Sequence, residues 1–434
     1  MIRLIYNIVF PVGLLVFLPA YLLKMIRRGQ YADKFGQRLG IYTADVRARL
    51  RARESVWLHA VSVGEVTVAL KLASAMQLRE PALKFVLTTT TTTGFALANK
   101  QAPDSVEVLY TPLDWWPIMR RAFDVIRPSK LVLVEAEVWP NQVAEASRRG
   151  IPIALVNARL SPRSETRFRR FAFLVAPLFR QLDLVCVQEE EDVARWAAVG
   201  AARIRIRHVG SIKFDVENVR VAPEQPRELL TAIGVAQDRP ILLAGSTHPG
   251  EDRILAQVFV NLRGEFPDLF LIIAPRHVER ARDVAAQAQE IGLRVRFRSD
   301  VAGVTDVDCL VLNTTGELRD WYAVATVVFI GKSLTVRGGQ NPVEPIVAGC
   351  PVIFGPHMEN FATLARSLVS HDAAVQVADA TALGGAIAGL LRDEAARDRL
   401  VANARGVLGA HRGATMRTVD LLSALRSGRG HDLA

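Results

Sequence analysis

The stretch Val56-Trp57-Leu58-His59-Ala60-Val61-Ser62-Val63-Gly64-Glu65 decides the fold. Its valine-rich apolar run reads as a buried strand and Ser-Val-Gly-Glu as a turn. Apolar residues then recur at Val68, Leu70, Leu72, Ala75 and Met76, the spacing of a helix laid on a sheet. In a doubly wound α/β domain, ligands gather at the carboxyl ends of the strands. Gly64 lets a ligand approach the backbone there, and Glu65 places a carboxylate at the same exit. Two roles stand open for Glu65: an acid–base group, or a complement to the positive end of the helix dipole.

Working outward, the same unit repeats. Phe85-Val86-Leu87 runs into the threonines 88–93, which suit either a strand end with a helix cap or a hydroxyl-lined ligand floor. Leu131-Val132-Leu133-Val134 ends in Glu135-Ala136-Glu137-Val138-Trp139-Pro140-Asn141, where Trp139, Pro140 and Asn141 suit a sugar-binding wall. Residues 153–156 end in Asn157-Ala158-Arg159-Leu160-Ser161, and Val209-Gly210-Ser211-Ile212-Lys213-Phe214-Asp215 closes this half. Residues 216–228 are polar with two prolines and read as a linker. Strand–helix alternation then restarts at 241–244 and continues to a helical tail over about 380–426. The expectation is α/β: a membrane-anchor segment with its basic flank (1–28), an acceptor-binding Rossmann-like domain (29–222) and a nucleotide-sugar domain (223–434). Two doubly wound domains facing a cleft resemble the GT-B arrangement of many glycosyltransferases.

The chain has 434 residues, too many for one core, and a net charge of +10. Residues 4–23 carry no charge, and twenty helical residues span about 30 Å, the thickness of a bilayer core. No small-x-small cleavage site precedes Lys24-Met25-Ile26-Arg27-Arg28, so a retained anchor is expected over a cleaved leader. The basic flank places the bulk of the chain on the cytoplasmic side. The arginines 159, 163, 167, 169 and 170 suit lipid phosphates. No zinc spacing, RNA-binding signature or recognition helix points to nucleic acid. Cys186, Cys309 and Cys350 lie far apart in apolar runs and read as buried thiols, and no cysteine–histidine cluster suggests a metal. Asp306-Val307-Asp308 precedes a strand and reads as strand-entry polarity, not as a metal motif.

The second half carries a nucleotide-like rim. In Gly338-Gly339-Gln340-Asn341-Pro342-Val343-Glu344, the glycines allow a tight turn, Asn341 caps a helix that opens at Pro342, and Glu344 can accept from vicinal ribose hydroxyls. Pro275-Arg276-His277 supplies a fixed cation, and Thr315-Gly316-Glu317 is a second turn into a helix. Gly245 to Asp252 is a third, with Ser246, Thr247 and His248 as donors.

Together these stretches resemble the bacterial Kdo (3-deoxy-D-manno-octulosonic acid) transferases over nearly the whole chain. The resemblance implies an inverting GT-B enzyme of the inner membrane that moves Kdo from CMP-Kdo to the lipid A precursor lipid IVA, with no metal or other cofactor. It implies Glu65 as general base and Glu135 and Lys213 as groups that stabilise the transition state. Pro275, Arg276, Thr315, Gly316, Glu317, Asn341, Pro342, Val343 and Glu344 match the CMP site. The alternatives are another GT-B lipid-linked sugar transferase, a sugar-nucleotide epimerase, or a non-catalytic membrane-bound sensor of an anionic ligand.

Overall fold

A computed structural model describes residues 3, 5–11, 13, 34–51, 54–160, 162–215, 222–300 and 306–426. The chain divides into two compact units, Met1–Asp215 with His411–Ala434, and Val216–Ala410.

In the first unit seven parallel strands run in the order β3-β2-β1-β4-β5-β6-β7. They are β1 (Ser55–His59), β2 (Phe85–Thr89), β3 (Val106–Tyr110), β4 (Pro128–Val134), β5 (Ile153–Ala158), β6 (Leu184–Val187) and β7 (Ile206–His208). β1 and β2 are buried at every position, as a parallel sheet covered on both faces requires. Successive side chains point to opposite faces. Trp57, Leu131 and Leu133 therefore enter one core with Phe123 and Trp196, while Val56, Leu58, Val132 and Val134 enter the other with Val66 and Leu72. Parallel neighbours need a crossover, which helices such as Val63–Arg79 provide. The strand order reverses between β1 and β4, so Glu65 and Glu135 leave the sheet on either side of its switch point.

The second unit repeats the plan in the order β10-β11-β9-β8-β12-β13-β14. Its strands are β8 (Ile241–Thr247), β9 (Phe270–Pro275), β10 (Val295–Phe297), β11 (Cys309–Val311), β12 (Val327–Ile330), β13 (Val352–Phe354) and β14 (Val375–Gln376). The switch point here lies between β8 and β12. Glycine is obligatory at this crossing: a Cβ on Gly331 would stand 2.2 Å from the Ser246 carbonyl oxygen, and one on Gly245 would stand 2.6 Å from the Tyr322 hydroxyl.

Two expectations change. The second domain does not run to 434, because residues from His411 onward return to the first unit. Helix Ala414–Ala424 buries Val419 and Leu422 in the core with helix Val63–Arg79. Asp215 accepts from the backbone N–H groups of Gly413 and Thr415, both at 2.7 Å, and so fixes the start of that helix. The linker is shorter than 216–228, since helix Glu224–Ala232 starts inside it; Pro226 lies in the first turn, where the missing N–H has no partner to lose. Residues 4, 12 and 14–23 of the expected anchor lie outside the described residues. Among the described residues, no helix is long and apolar enough to cross a membrane.

Candidate active site

The exit of β1 is built around Glu65. Ser62 caps helix Val63–Arg79, and Glu65 sits in its first turn, the arrangement of a capping box. The Val61 N–H donates to Glu65 Oε2 at 2.8 Å and the Ser62 hydroxyl to Oε1 at 2.7 Å. Thr89 and Thr91 in turn donate to the Val61 carbonyl at 3.3 and 3.2 Å. Thr91 caps helix Thr92–Gln101, and Thr88 is buried against Trp57 and His59. The described hydroxyl contacts of Thr88, Thr89 and Thr91 thus belong to the strand end and the cap. Their effect on the site is indirect: they pin the loop that holds Glu65, which is 7% exposed.

Glu135 follows β4 with φ +62, in the left-handed region, and its N–H pairs with the Val156 carbonyl at 2.9 Å. Such a conformation costs a non-glycine residue on the order of 1–2 kcal/mol, and strain of this kind collects at functional sites. Burial raises the Glu135 pKa, and the charge of Glu65 raises it further, while Arg159 and Lys213 oppose both. Burial lowers the pKa of Lys213, with Glu135 countering and Arg159 reinforcing. Glu137 is likewise raised, by burial and then by Glu65, and its Oε2 accepts from Trp139 Nε1 at 3.1 Å. The first unit therefore gathers three carboxylates and two cations at one sheet edge.

Lys213 is placed by residues that carried no role in the sequence reading. Asn157, at the β5 exit, is fully buried with φ +52. Its Oδ1 accepts from the Ile212 N–H at 3.0 Å and the Ser211 hydroxyl at 3.3 Å. Lys71 donates to the carbonyls of Ile212, at 3.1 Å, and Asp215. Asn157 and Lys71 thus clamp the loop on both sides of Lys213. The sequence signal was the polar Asn157 directly at a strand exit beside Arg159.

Asn141 does not form a sugar-binding wall. It is fully buried, its N–H donates to Asp114 Oδ2 at 3.0 Å, and its amide pairs reciprocally with Asn7 at 2.9 and 3.0 Å. Asp308 likewise proves structural, accepting from Arg294 at its N–H, Nε and Nη2.

The second unit holds a cavity of about 370 Å³ at the carboxyl ends of its strands. Arg276, Gly316, Asn341 and Glu344 line it with Ser246, a donor of the third turn, and so do Leu318, Arg319, Tyr322 and Gln340, to which the sequence assigns no role. Glu344 Oε1 accepts from Asn341 Nδ2 at 3.3 Å, and Oε2 has no partner among the described residues. Tyr322 is buried beneath, its hydroxyl pushed to a high pKa by burial and then by Glu344. Glu317 accepts from Arg298 Nε at 3.0 Å and from the Thr314 hydroxyl, which orders the exposed Thr315-Gly316 turn. Pro275 ends β9 in the core, and Pro342 and Val343 are buried. The helix opens at Val343, one residue later than expected, and has only five residues. Asn341 Oδ1 takes the Val343 N–H at 3.0 Å, so that group is not open to a ligand.

The two switch points differ in one respect. Glu251, fully buried, begins the helix after β8 as Glu65 begins the one after β1. Its Oε2 accepts from the backbone N–H of His248 (2.8 Å) and Lys332 (2.7 Å), and its Oε1 from those of Ser333 (2.9 Å) and Leu334 (3.0 Å).

Over 92% of its length and 92% of the other, the chain is 32% identical to the 3-deoxy-D-manno-octulosonic acid transferase of Haemophilus influenzae. The chain belongs to the Kdo transferase family. The family model described as 3-deoxy-D-manno-octulosonic-acid transferase (kdotransferase) matches residues 33–216, which hold Glu65, Glu135, Asn157 and Lys213. The Kdo transferase of Bordetella pertussis is 36% identical over 87% of this chain and 89% of its own. Membership makes the protein a glycosyltransferase of lipopolysaccharide synthesis. MurG of Acinetobacter baumannii is 17% identical with a TM-score of 0.55, covering 86% of this chain and all of that one, a likeness of GT-B-type fold.

Proposed function

We propose that this Kdo transferase moves Kdo from CMP-Kdo to lipid IVA with inversion at the anomeric carbon, without a metal ion, at the cytoplasmic face of the bacterial inner membrane. The observation that carries the reading is Glu65: a fixed, nearly buried carboxylate at a switch point, with two of its roughly four lone-pair sites in use. A single displacement requires one base. The acceptor hydroxyl attacks the anomeric carbon, its proton passes to Glu65, and the bond from that carbon to the phosphate oxygen breaks with the electron pair leaving on CMP. Lys213 and Arg159 supply positive charge for the anionic groups of the reacting sugar, and the charge of Glu135 favours the ammonium form of Lys213. In the second unit, Oε2 of Glu344 is open to ribose hydroxyls and Arg276 to phosphate.

The membrane reading is supported by helices Pro162–Arg170 and Ala172–Phe179. Arg167, Arg169 and Arg170 are exposed there beside Phe171, Phe173 and Leu174, with Phe173 69% accessible. Basic and aromatic side chains on one surface suit anionic lipid.

The test is incubation with CMP-Kdo and lipid IVA in excess EDTA, followed by product mass. Transfer is expected to persist, and Glu65→Ala is expected to lose roughly 10²–10⁴-fold in rate while CMP affinity by calorimetry stays level. Retained turnover in Glu65→Ala refutes the base, and activity that returns only with a divalent ion refutes the metal-free mechanism. Tighter binding of UDP than of CMP would favour another sugar donor.

A further inference from the structure

We propose that Lys332, with His248 and Gln340 beside it, forms an anion subsite at the β8/β12 exit that takes the charged part of the donor beyond its nucleoside. The proposal rests on the donor reading above and names residues which that reading leaves unused.

The backbone makes the case first. Lys332 has φ +58, and the consecutive N–H groups of Lys332, Ser333 and Leu334 converge as an anion-binding concavity. That concavity is already filled, because the Glu251 carboxylate takes all three and the His248 N–H as well. A ligand anion arriving at this switch point finds the N–H groups of Lys332, Ser333 and Leu334 already taken. Recognition then falls to side chains.

The side chains available are cationic or donors. The Lys332 ammonium has no hydrogen bond or ion pair among the described residues. It lies against the Gly338–Gly339 turn: a Cβ on Gly338 would stand 3.2 Å from Nζ, and Gly338 and Gly339 have φ +132 and +73. The Gly339 N–H donates to the Lys332 carbonyl at 2.8 Å, so turn and lysine are one unit. The next residue, Gln340, lines the cavity, and its Nε2 meets His248 Nε2 at 3.2 Å. Burial lowers the His248 pKa, and the charges of Lys332, His277, Arg280 and Arg276 lower it further. With Gln340 Nε2 as the donor, His248 accepts at Nε2, and its Nδ1 is the ring nitrogen left to donate to a ligand. Three nearby acids already hold donors: Glu251 the backbone N–H groups, Asp252 Arg280 and the Thr247 hydroxyl, and Glu359 the Gly338 N–H at 2.7 Å. An unpaired ammonium beside acids that already hold donors fits an oxyanion, while the open Oε2 of Glu344 is left to the ribose. Two groups of a CMP-activated keto-acid sugar qualify, the phosphate and the sugar carboxylate.

Calorimetry on the full chain separates them. Cytidine, CMP and CMP-Kdo are titrated, without acceptor, into the wild type, Lys332→Met, Lys332→Arg and His248→Asn. Cytidine affinity is expected to stay within about twofold, which also reports an intact cavity. Lys332→Met is expected to lose roughly tenfold or more on a charged ligand, the worth of a charge-assisted hydrogen bond, and Lys332→Arg to recover part of it. A loss on CMP and CMP-Kdo alike assigns the phosphate; a loss on CMP-Kdo alone assigns the carboxylate. Equal losses on cytidine, or no loss on either charged ligand, overturn the subsite. A wild-type chain that forms no Kdo product sinks the donor reading itself, a result distinct from any of these.

Discussion

Asn157→Ala is the sharpest probe of how the first unit prepares its site. The native side chain accepts from the Ile212 N–H at 3.0 Å and the Ser211 hydroxyl at 3.3 Å, in a position with no solvent access. Alanine removes the one oxygen that accepts both bonds and leaves the buried Ile212 N–H unpaired, at about 1–3 kcal/mol. The backbone is left-handed at φ +52, which asparagine tolerates better than alanine, and that difference adds up to about 1 kcal/mol. The sum of about 1–4 kcal/mol corresponds to a fall of roughly 2–16 °C in the melting temperature of a unit this size. Asn157→Gly removes the same acceptor but tolerates the left-handed backbone, so it is expected to be the milder change by about 1 kcal/mol. Because the lost bonds hold the loop of Lys213, kcat is expected to fall while CMP affinity, which belongs to the other unit, is unchanged. The assays are urea unfolding, steady-state kinetics and CMP calorimetry on both variants. A stability change under about 0.5 kcal/mol, or a full kcat in a folded Asn157→Ala protein, would refute the argument that this amide positions the lysine.

Three further outcomes follow from the geometry. Glu344→Ala is expected to weaken CMP roughly tenfold or more, the worth of hydrogen bonds to a charged acceptor; an unchanged calorimetric constant removes the ribose role. Deleting residues 411–434 strips Val419 and Leu422 from their core, costing the first unit about 3–6 kcal/mol, while CMP binding by the second unit persists. Loss of CMP binding with an undisturbed first unit would contradict the division of the chain. His59 is held neutral by burial, which depresses its pKa from 6.5 to about 4. Between those values the unfolded chain binds the proton and the folded chain does not, so stability present above pH 6.5 is lost as pH falls towards 4. The slope is about 1.4 kcal/mol per pH unit, and His59→Asn is expected to remove it; an unaltered slope in urea titrations from pH 7 to 4.5 would be inconsistent with a buried neutral ring.

Much of this fold is legible in the sequence because parallel strands buried on both faces leave continuous apolar runs, as in residues 56–61, 131–134 and 270–274. What escaped was short or remote. β10 and β14, of three and two residues, carry too little pattern to stand out. The return of helix Ala414–Ala424 to the first unit depends on contacts such as those of Asp215, about 200 positions away, which no local periodicity encodes. At the site, residue types at strand exits pointed to Glu65, Glu135, Arg276 and Glu344. They did not reveal Asn157 and Lys71, whose work is done through backbone carbonyls and amides of another loop. Nor did they show that Asn141 turns inward to Asp114 and Asn7, since an asparagine after Trp-Pro reads the same whether it faces a ligand or the core.

The repeated topology supplies an internal control for the role of Glu65. Each sheet places a glutamate at the start of the helix that follows its switch-point strand, Glu65 after β1 and Glu251 after β8. A helix-dipole or framework role would treat the two alike. Glu251 has every lone-pair site of its carboxylate occupied, each oxygen taking two backbone N–H groups, and it has no solvent access. A carboxylate held in that way has no site left for an incoming proton, and its business is to close the turn. Glu65 takes only one backbone N–H and one hydroxyl, keeps 7% of its surface open, and faces the charges of Glu135 and Glu137. The same residue at the same step of the fold is thus saturated in one unit and left receptive in the other. The unspent lone pairs, more than the motif, are what a base at this position needs.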